Sequence, residues 1–119
     1  KIVEEFIKKN HPRTIVVGCK TIREKNGIAL SSRNILLSKN EKKIASKIYK
    51  LLLRKKSRII NTKIPLSTLN KEILKFGVRK IDYLKLLDIN KLIKPYVKIN
   101  KYKLFIAYYL KKNRLIDNI

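Results

Sequence analysis

The feature that most constrains the fold is an amphipathic segment that begins at Ser38. Ser38 and Glu41 have the spacing of a capping box, in which each side chain accepts a hydrogen bond from the other residue's backbone N–H. The segment predicts a helix to about Lys56, with lysines and Arg54 on its polar face. Its apolar face consists of Ile44, Ala45, Ile48, Leu51 and Leu52. Because such a face must be buried, the chain needs a second layer of structure to cover this helix.

A second, shorter helix is predicted further along the chain. Residues 55–63 are interpreted as a basic linker, after which Pro65 favours the start of a helix. The glycine of Phe76-Gly77 is typical of a helix end. The apolar side of this helix comprises Leu66, Leu69, Ile73 and Leu74. Two helices therefore precede the final third of the chain.

That final third has the pattern of antiparallel strands. Residues 80–88 alternate between apolar and polar side chains, and residues 102–110 are apolar and rich in aromatics. The alternating apolar positions of the first segment are Ile81, Tyr83 and Leu87. Residues 90–96, around Pro95, predict a turn region, and Leu115-Ile116 predicts a last short strand. Two helices followed by antiparallel strands indicate an α+β unit.

The first 22 residues have a different pattern, that of a helix followed by a buried strand. Apolar residues within 2–9 have helical spacing, and Asn10-His11-Pro12 ends that helix. Thr14–Cys19 is a run of mostly β-branched residues typical of a strand in a parallel sheet. One strand cannot form a sheet, and no later segment repeats the pattern. We therefore expect the chain to begin inside a domain whose other strands lie elsewhere.

Composition narrows the classes of function. Hydrophobic residues make up 45% of the chain, enough for a packed core, and no apolar run approaches the roughly 18 residues that span a membrane. Cys19 is the one cysteine, which excludes an internal disulfide and favours a cytoplasmic location. The net charge of +23 suggests nucleic-acid binding, but it comes mostly from lysines spread along the whole chain. We interpret it as compositional drift, and expect no specific nucleic-acid partner.

The stretch Gly27–Asn34, here called the serine-arginine loop, carries the groups best suited to chemistry. The hydroxyls of Ser31 and Ser32 donate hydrogen bonds to phosphate oxygens, and the guanidinium of Arg33 is a planar, permanently charged phosphate ligand. Such a loop can hold a triphosphate and stabilise the charge that develops on leaving pyrophosphate. From spacing alone, an ordinary polar loop before a capped helix is the simpler interpretation.

Three parts of the chain carry a more specific pattern. They are Val17–Glu24 with Asn26–Asn34 and Leu37-Ser38, then Ile81–Asp88, and finally Arg114–Asn118. In order and separation they resemble the pantothenate synthetase (pantoate–β-alanine ligase) family, and the resemblance covers essentially the whole chain. The most specific part is the pair Ser-Ser-Arg-Asn and Arg-Leu-Ile-Asp-Asn at this separation.

The resemblance implies a fold and an activity. The family condenses pantoate with β-alanine through pantoyl adenylate, consuming ATP and releasing pyrophosphate and AMP. Residues 1–22 would be the last helix and strand of a Rossmann-like α/β nucleotide-binding domain. Residues 23–119 would be a small C-terminal lid domain that closes over ATP, with two helices and antiparallel strands.

The resemblance also implies roles for individual residues. Ser31, Ser32 and Arg33 would bind the ATP phosphates, and Arg33 would be the catalytic residue that stabilises the leaving pyrophosphate. Ile22 would line the adenine site through its backbone groups. Leu30 would close over the adenine from the other side.

Four other residues match the family pattern. Three of them are expected to be structural, and Arg23 has two interpretations. Arg23 would either contact ATP or form a salt bridge with an acid such as Glu24 or Asp117. Asn34 would fix the loop, while Asp117 and Asn118 would hold the chain terminus to the sheet.

Three positions depart from the family pattern without touching the phosphate-binding residues. Lys20 stands where proline is usual, and Leu30 replaces a common methionine. Lys111 stands where glycine is usual, so the turn between the last two strands must accommodate a side chain.

The resemblance places the remaining components outside this chain. The Mg²⁺ site and the pockets for pantoate and β-alanine belong to the family's N-terminal Rossmann-like domain, so we expect these 119 residues to be inactive alone. The expected partners are ATP, pantoate, β-alanine, that N-terminal domain and a second copy in a homodimer, with no membrane. A stand-alone basic module that binds nucleic acid and an inactive remnant of the ligase are the alternatives.

Overall fold

The computed structural model describes residues 2–62, 65–92 and 101–119. Its elements are α1 (Ile2–Asn10), a 3-10 helix (Ser32–Leu36), α2 (Lys39–Thr62), α3 (Leu66–Leu74), β1 (Lys80–Asp88), β2 (Tyr102–Leu110) and β3 (Asn113–Asn118). The three strands form an antiparallel sheet in the order β1-β2-β3. This arrangement confirms the α+β class.

The core forms where α2 and α3 cover the sheet. The most completely buried large side chains are Ile48 and Leu52 of α2, Leu69 and Ile73 of α3, and Leu104, Ile106 and Leu110 of β2. β2 is the central strand and contributes three of them, while its outer neighbours are more exposed. The sheet is therefore the second layer that the amphipathic helix requires.

α2 is longer than predicted. It begins with the expected capping box, since Ser38 N–H donates to Glu41 Oε2 at 2.9 Å and Glu41 N–H donates to Ser38 Oγ at 3.2 Å. It then continues to Thr62, through most of the residues interpreted as a linker. Ile59, two turns after Leu52, is buried and extends the apolar face. The linker prediction was wrong because the basic residues occupy the polar side of a continuing helix.

β1 and β2 match their predicted ranges, α3 lies within its predicted range, and β3 is longer than the predicted Leu115-Ile116. Gly77 follows α3 with φ +90°, as a helix-ending glycine should, whereas Leu74 is exposed instead of joining the apolar side. In β1, a register shift between Ile81 and Tyr83 changes the alternation, so that Leu84 is the buried position. Most of the turn region predicted at 90–96 lies outside the described residues.

The helix expected near the start of the chain forms, but the strand does not. α1 spans Ile2–Asn10 and buries none of its residues. Thr14–Cys19 has no strand assignment, and Ile15 is 87% exposed. A strand needs a neighbour to accept and donate its backbone hydrogen bonds, and the described sheet β1-β2-β3 does not extend to this segment. The predicted Rossmann-type strand is thus not formed in this structure.

Candidate functional site

The serine-arginine loop begins in a tight hairpin. Arg23 and Ala29 pair as an isolated antiparallel bridge, and Leu30 N–H donates to the Ile22 carbonyl at 2.9 Å. Gly27 has φ +90° at the tip, which glycine adopts without the steric cost of a side chain. The predicted turn is confirmed, and the hairpin brings Ile22 and Leu30 side by side.

The two serines and Arg33 lie where the hairpin passes into the 3-10 helix. Ser31 caps this helix, because its Oγ accepts from Arg33 N–H at 3.3 Å and its carbonyl accepts from Asn34 N–H at 3.0 Å. Ser32 and Arg33 are exposed and Ser31 is half-buried. The loop therefore presents hydroxyl and guanidinium groups at the surface while its backbone is held.

Asn34 anchors the loop from its far end. It is 3% exposed, and its Nδ2 donates to Glu24 Oε1 at 2.7 Å and to the Ala29 carbonyl at 3.0 Å. Hydrogen bonds from Asn34, and then from Asn26, lower the pKa of the Glu24 carboxyl. These contacts confirm the loop-fixing role predicted for Asn34, with Glu24 as its acceptor.

Arg23 joins the hairpin to β3. Its Nη1 donates to Asp117 Oδ2 at 2.8 Å, and its Nη2 donates to Asp117 Oδ1 at 3.0 Å and to the Asn118 carbonyl at 3.0 Å. Nη1 also donates to the Gly27 carbonyl at 3.0 Å. The hydrogen bond to Asp117 raises the pKa of Arg23, whose guanidinium is charged at any ordinary pH. Of the two interpretations of Arg23, the structure shows the salt bridge with Asp117.

Tyr49 of α2 completes this contact and was not identified from the sequence. The guanidinium carbon of Arg23 lies 4.3 Å from the centre of the Tyr49 ring, within the range of a cation–π interaction. A Cβ on Gly27 would lie 2.3 Å from Tyr49 Cδ1, so only glycine fits against the ring. Tyr49 is one helical turn after Ala45 of the predicted apolar face, and this spacing could have indicated that Tyr49 packs on the same side of the helix.

A cavity of about 200 Å³ lies beside the loop, between α2 and the edge of the sheet. Its lining includes Leu30, Ser31 and Arg33 together with Tyr49 and Tyr108. Burial, and then the charge of Asp117, raises the pKa of the Tyr108 hydroxyl. Three of the five predicted site residues therefore border one cavity. Ser32 lies between two lining residues in the sequence, and Ile22 is hydrogen-bonded to the lining residue Leu30.

Two absences apply to the described part of the chain. No group of three or more histidine, cysteine, aspartate or glutamate side chains comes together there as a metal site. None of the helices in residues 2–62, 65–92 and 101–119 is long and apolar enough to cross a membrane.

Comparison with known proteins gives the same family at the levels of sequence and structure. The profile of the pantoate–β-alanine ligase family matches residues 1–119. Pantothenate synthetase from Ruthia magnifica is 36% identical over 121 residues, which cover 99% of this chain and 43% of that protein. The Sulfurihydrogenibium enzyme is 36% identical over 126 residues, covering 100% of this chain and 44% of its own length.

Solved structures show the same similarity. Pantoate–β-alanine ligase from Francisella tularensis, crystallised with β-γ ATP and β-alanine, has a TM-score of 0.70 at 30% identity, over 99% of this chain and 38% of that one. Pantothenate synthetase from Thermus thermophilus has a TM-score of 0.74 at 28% identity, over 99% of this chain and 44% of that one. The chain thus spans less than half the length of these relatives. On this evidence of sequence and fold, the chain belongs to the pantoate–β-alanine ligase family.

Proposed function

We propose that this chain is the C-terminal, ATP-binding part of an enzyme that condenses pantoate with β-alanine. The observation that carries the proposal is the Ser31-Ser32-Arg33 sequence, with Ser32 and Arg33 exposed, held on a braced hairpin within a chain that matches the ligase family throughout. Residues 23–119 act as a lid domain over ATP. Residues 1–22 belong to the adjoining Rossmann-like domain.

The loop geometry suits a triphosphate. Ser31, Ser32 and Arg33 supply hydroxyl and guanidinium groups that bind phosphate oxygens. Ile22 and Leu30 are 71% and 63% exposed, although both are large apolar residues. They lie next to each other, joined by the hydrogen bond from Leu30 N–H to the Ile22 carbonyl. We assign this exposed apolar pair to the adenine, which contacts the backbone of Ile22 and the side chain of Leu30.

The resemblance to the ligase family implies the reaction. The pantoate carboxylate attacks the α-phosphorus of ATP, forming a new P–O bond and releasing pyrophosphate. Arg33 stabilises the negative charge that develops on that leaving group. The β-alanine amine then attacks the acyl carbon of pantoyl adenylate, forming the amide and releasing AMP. ATP and β-alanine are the ligands named for the Francisella relative.

The rest of the site comes from a domain that packs on the first residues of the chain. α1 exposes Ile2, Val3 and Phe6, and the following segment exposes Ile15 and Val17. Several exposed large apolar side chains in one stretch of the chain are typical of an interface. The Mg²⁺ site and the pockets for pantoate and β-alanine are assigned to this N-terminal domain. A homodimer in the cytoplasm remains our prediction, and the nucleic-acid alternative has no support from the comparisons.

Substitution of Arg33 in the complete enzyme tests the proposal. Arg33→Ala should slow adenylate formation, measured as pyrophosphate release in a single turnover, by roughly 100- to 1,000-fold. Pantoate affinity should change by less than about threefold, because Arg33 acts on the leaving group. Arg54→Ala, which removes an exposed arginine of α2, is the control for net charge. An equal loss of pantoate binding and adenylation rate would contradict the leaving-group role.

A further inference from the structure

We propose that Arg23, Tyr49 and Asp117 form a positioning cluster that sets the geometry of the serine-arginine loop for adenylation. These three residues come from the hairpin, from α2 and from β3, respectively. The inference depends on the proposed function, since it assigns the cluster an effect on the rate through Arg33. None of the three residues is assigned a contact with ATP.

The contacts of Arg23 fix the start of the loop in several directions at once. Its guanidinium binds both carboxylate oxygens of Asp117, at 2.8 and 3.0 Å, and stacks 4.3 Å from the centre of the Tyr49 ring. The side chains of Arg23 and Asp117 are only 19% and 13% exposed, so solvent screens this pair less than a surface pair. A bidentate pair against an aromatic face allows little rotation.

The tip of the hairpin is also held against α2. The face of Tyr49 lies where a side chain on Gly27 would be, and Ser46 Oγ donates to the Asn26 carbonyl at 2.6 Å. Ser46 and Tyr49 are neighbours on one side of α2. The hairpin is therefore braced by both the helix and the last strand, at the same end of the molecule.

The phosphate-binding groups themselves have few contacts of this kind. Arg33 is exposed, and its backbone N–H donates a local hydrogen bond to Ser31 Oγ. The segment that carries Ser31 and Arg33 is flanked by two buried residues, Ile28 and Asn34. The position of Arg33 thus depends on how the hairpin packs against α2 and β3. A displacement of about 1 Å in a catalytic group lowers rates by up to roughly 100-fold, so loosening the cluster should slow the chemical step.

The test replaces the aromatic ring in the complete enzyme. Tyr49→Leu keeps an apolar side chain but removes the ring under Arg23, and we expect kcat for adenylation per folded molecule to fall about tenfold, with a smaller change in the KM for pantoate. Tyr49→Phe keeps the ring and should restore most of the rate. Tyr83→Leu is the matched control, because the Tyr83 ring also lies near an arginine, with Arg114 at 6.0 Å.

A double-mutant cycle separates positioning from mere stability. If the cluster acts through Arg33, the double variant Tyr49→Leu/Arg33→Ala should be about as slow as Arg33→Ala alone. Additive losses would overturn the inference while leaving the proposed function intact, as would a Tyr49→Leu enzyme with normal kcat and a lower melting temperature. If Arg33→Ala itself has no effect on adenylation, the proposed function fails. Should Tyr49→Leu not fold, Asp117→Asn replaces it in the same cycle with the same expected outcomes.

Discussion

Lys111 is the residue whose backbone departs most clearly from what its side chain favours. It begins the two-residue turn between β2 and β3 with φ +49°, the left-handed region, at the position where the family resemblance predicts glycine. A side chain costs about 1–2 kcal/mol there, partly offset because glycine adds freedom to the unfolded chain. Lys111→Gly should therefore raise the free energy of unfolding by about 0.5–1 kcal/mol, measured by urea denaturation.

The adjacent lysine provides the control for this prediction. Among the described non-glycine residues, only Lys111 has positive φ, so Lys112→Gly brings no relief of strain. It should leave stability unchanged or lower it by about 0.5–1 kcal/mol. Equal stabilisation by both substitutions would show that loss of a positive charge dominates, and no stabilisation by Lys111→Gly would contradict the strain at this turn.

Gly27 presents the opposite case, a residue that must remain glycine. Its φ of +90° disfavours any side chain, and a Cβ at this position would lie 2.3 Å from the Tyr49 ring. Gly27→Ala should lower the free energy of unfolding by about 2–4 kcal/mol, measured by urea denaturation, by combining backbone strain with overpacking. Gly18→Ala is the control, because no atom outside its immediate neighbours lies within 4 Å of the position a Cβ would take. Similar effects at both glycines would contradict the close contact with Tyr49.

At the scale of elements, the start of α2 couples stability to pH. Hydrogen bonds from Ser38 lower the pKa of Glu41 below its ordinary value of 4.5. A lowered folded-state pKa stabilises the protein fully above about pH 4.5, and this contribution is lost as the pH falls through the folded value. Glu41→Gln should therefore weaken the acid dependence of unfolding below pH 4.5. Glu5→Gln, in the exposed helix α1, is the control, and an equal effect of both substitutions would contradict the role of the capping box.

Elements defined by local patterns could be predicted from the sequence, whereas those that depend on distant partners could not. The capping box and the Asn26-Gly27 turn involve residues close in sequence, and both are confirmed. The run Thr14–Cys19 has strong strand propensity but lacks a neighbouring strand in the described sheet, so it stays unpaired. Propensity cannot provide hydrogen-bond partners.

The residues of the candidate site also differ in whether the sequence could predict them. The serine-arginine loop was identified by residue type and by family resemblance, and Asp117 was one of two acids suggested for Arg23. Tyr49 was missed because its contact depends on how α2 packs against the hairpin, which the helical pattern alone does not define. The end of α2 was misplaced for a related reason, since Ile59 is buried by tertiary packing beyond the expected boundary.

For the molecule as a whole, the charged residues are unevenly divided, with 31 lysines and arginines against 8 acids. Within the described residues, the acidic side chains of 23–119 make specific contacts: Glu24 and Glu41 in loop and cap hydrogen bonds, and Glu72, Asp82, Asp88 and Asp117 in ion pairs. Lysines dominate the remaining charged residues. The acids of this part of the chain are thus structurally engaged, and compositional drift remains our interpretation of the charge of +23. A field of this strength will attract polyanions non-specifically at low salt.

The central claim is that this chain supplies one part of a ligase site and needs an N-terminal domain for the rest. The chain resembles the Ruthia magnifica enzyme over 99% of its own length. The most direct test joins the chain to the N-terminal part of that enzyme. With ATP, pantoate and β-alanine, formation of AMP and pantothenate is then measured for the hybrid and for the chain alone. We predict turnover by the hybrid and none by the isolated chain. Turnover by the isolated chain, or a folded hybrid without activity, would contradict the account.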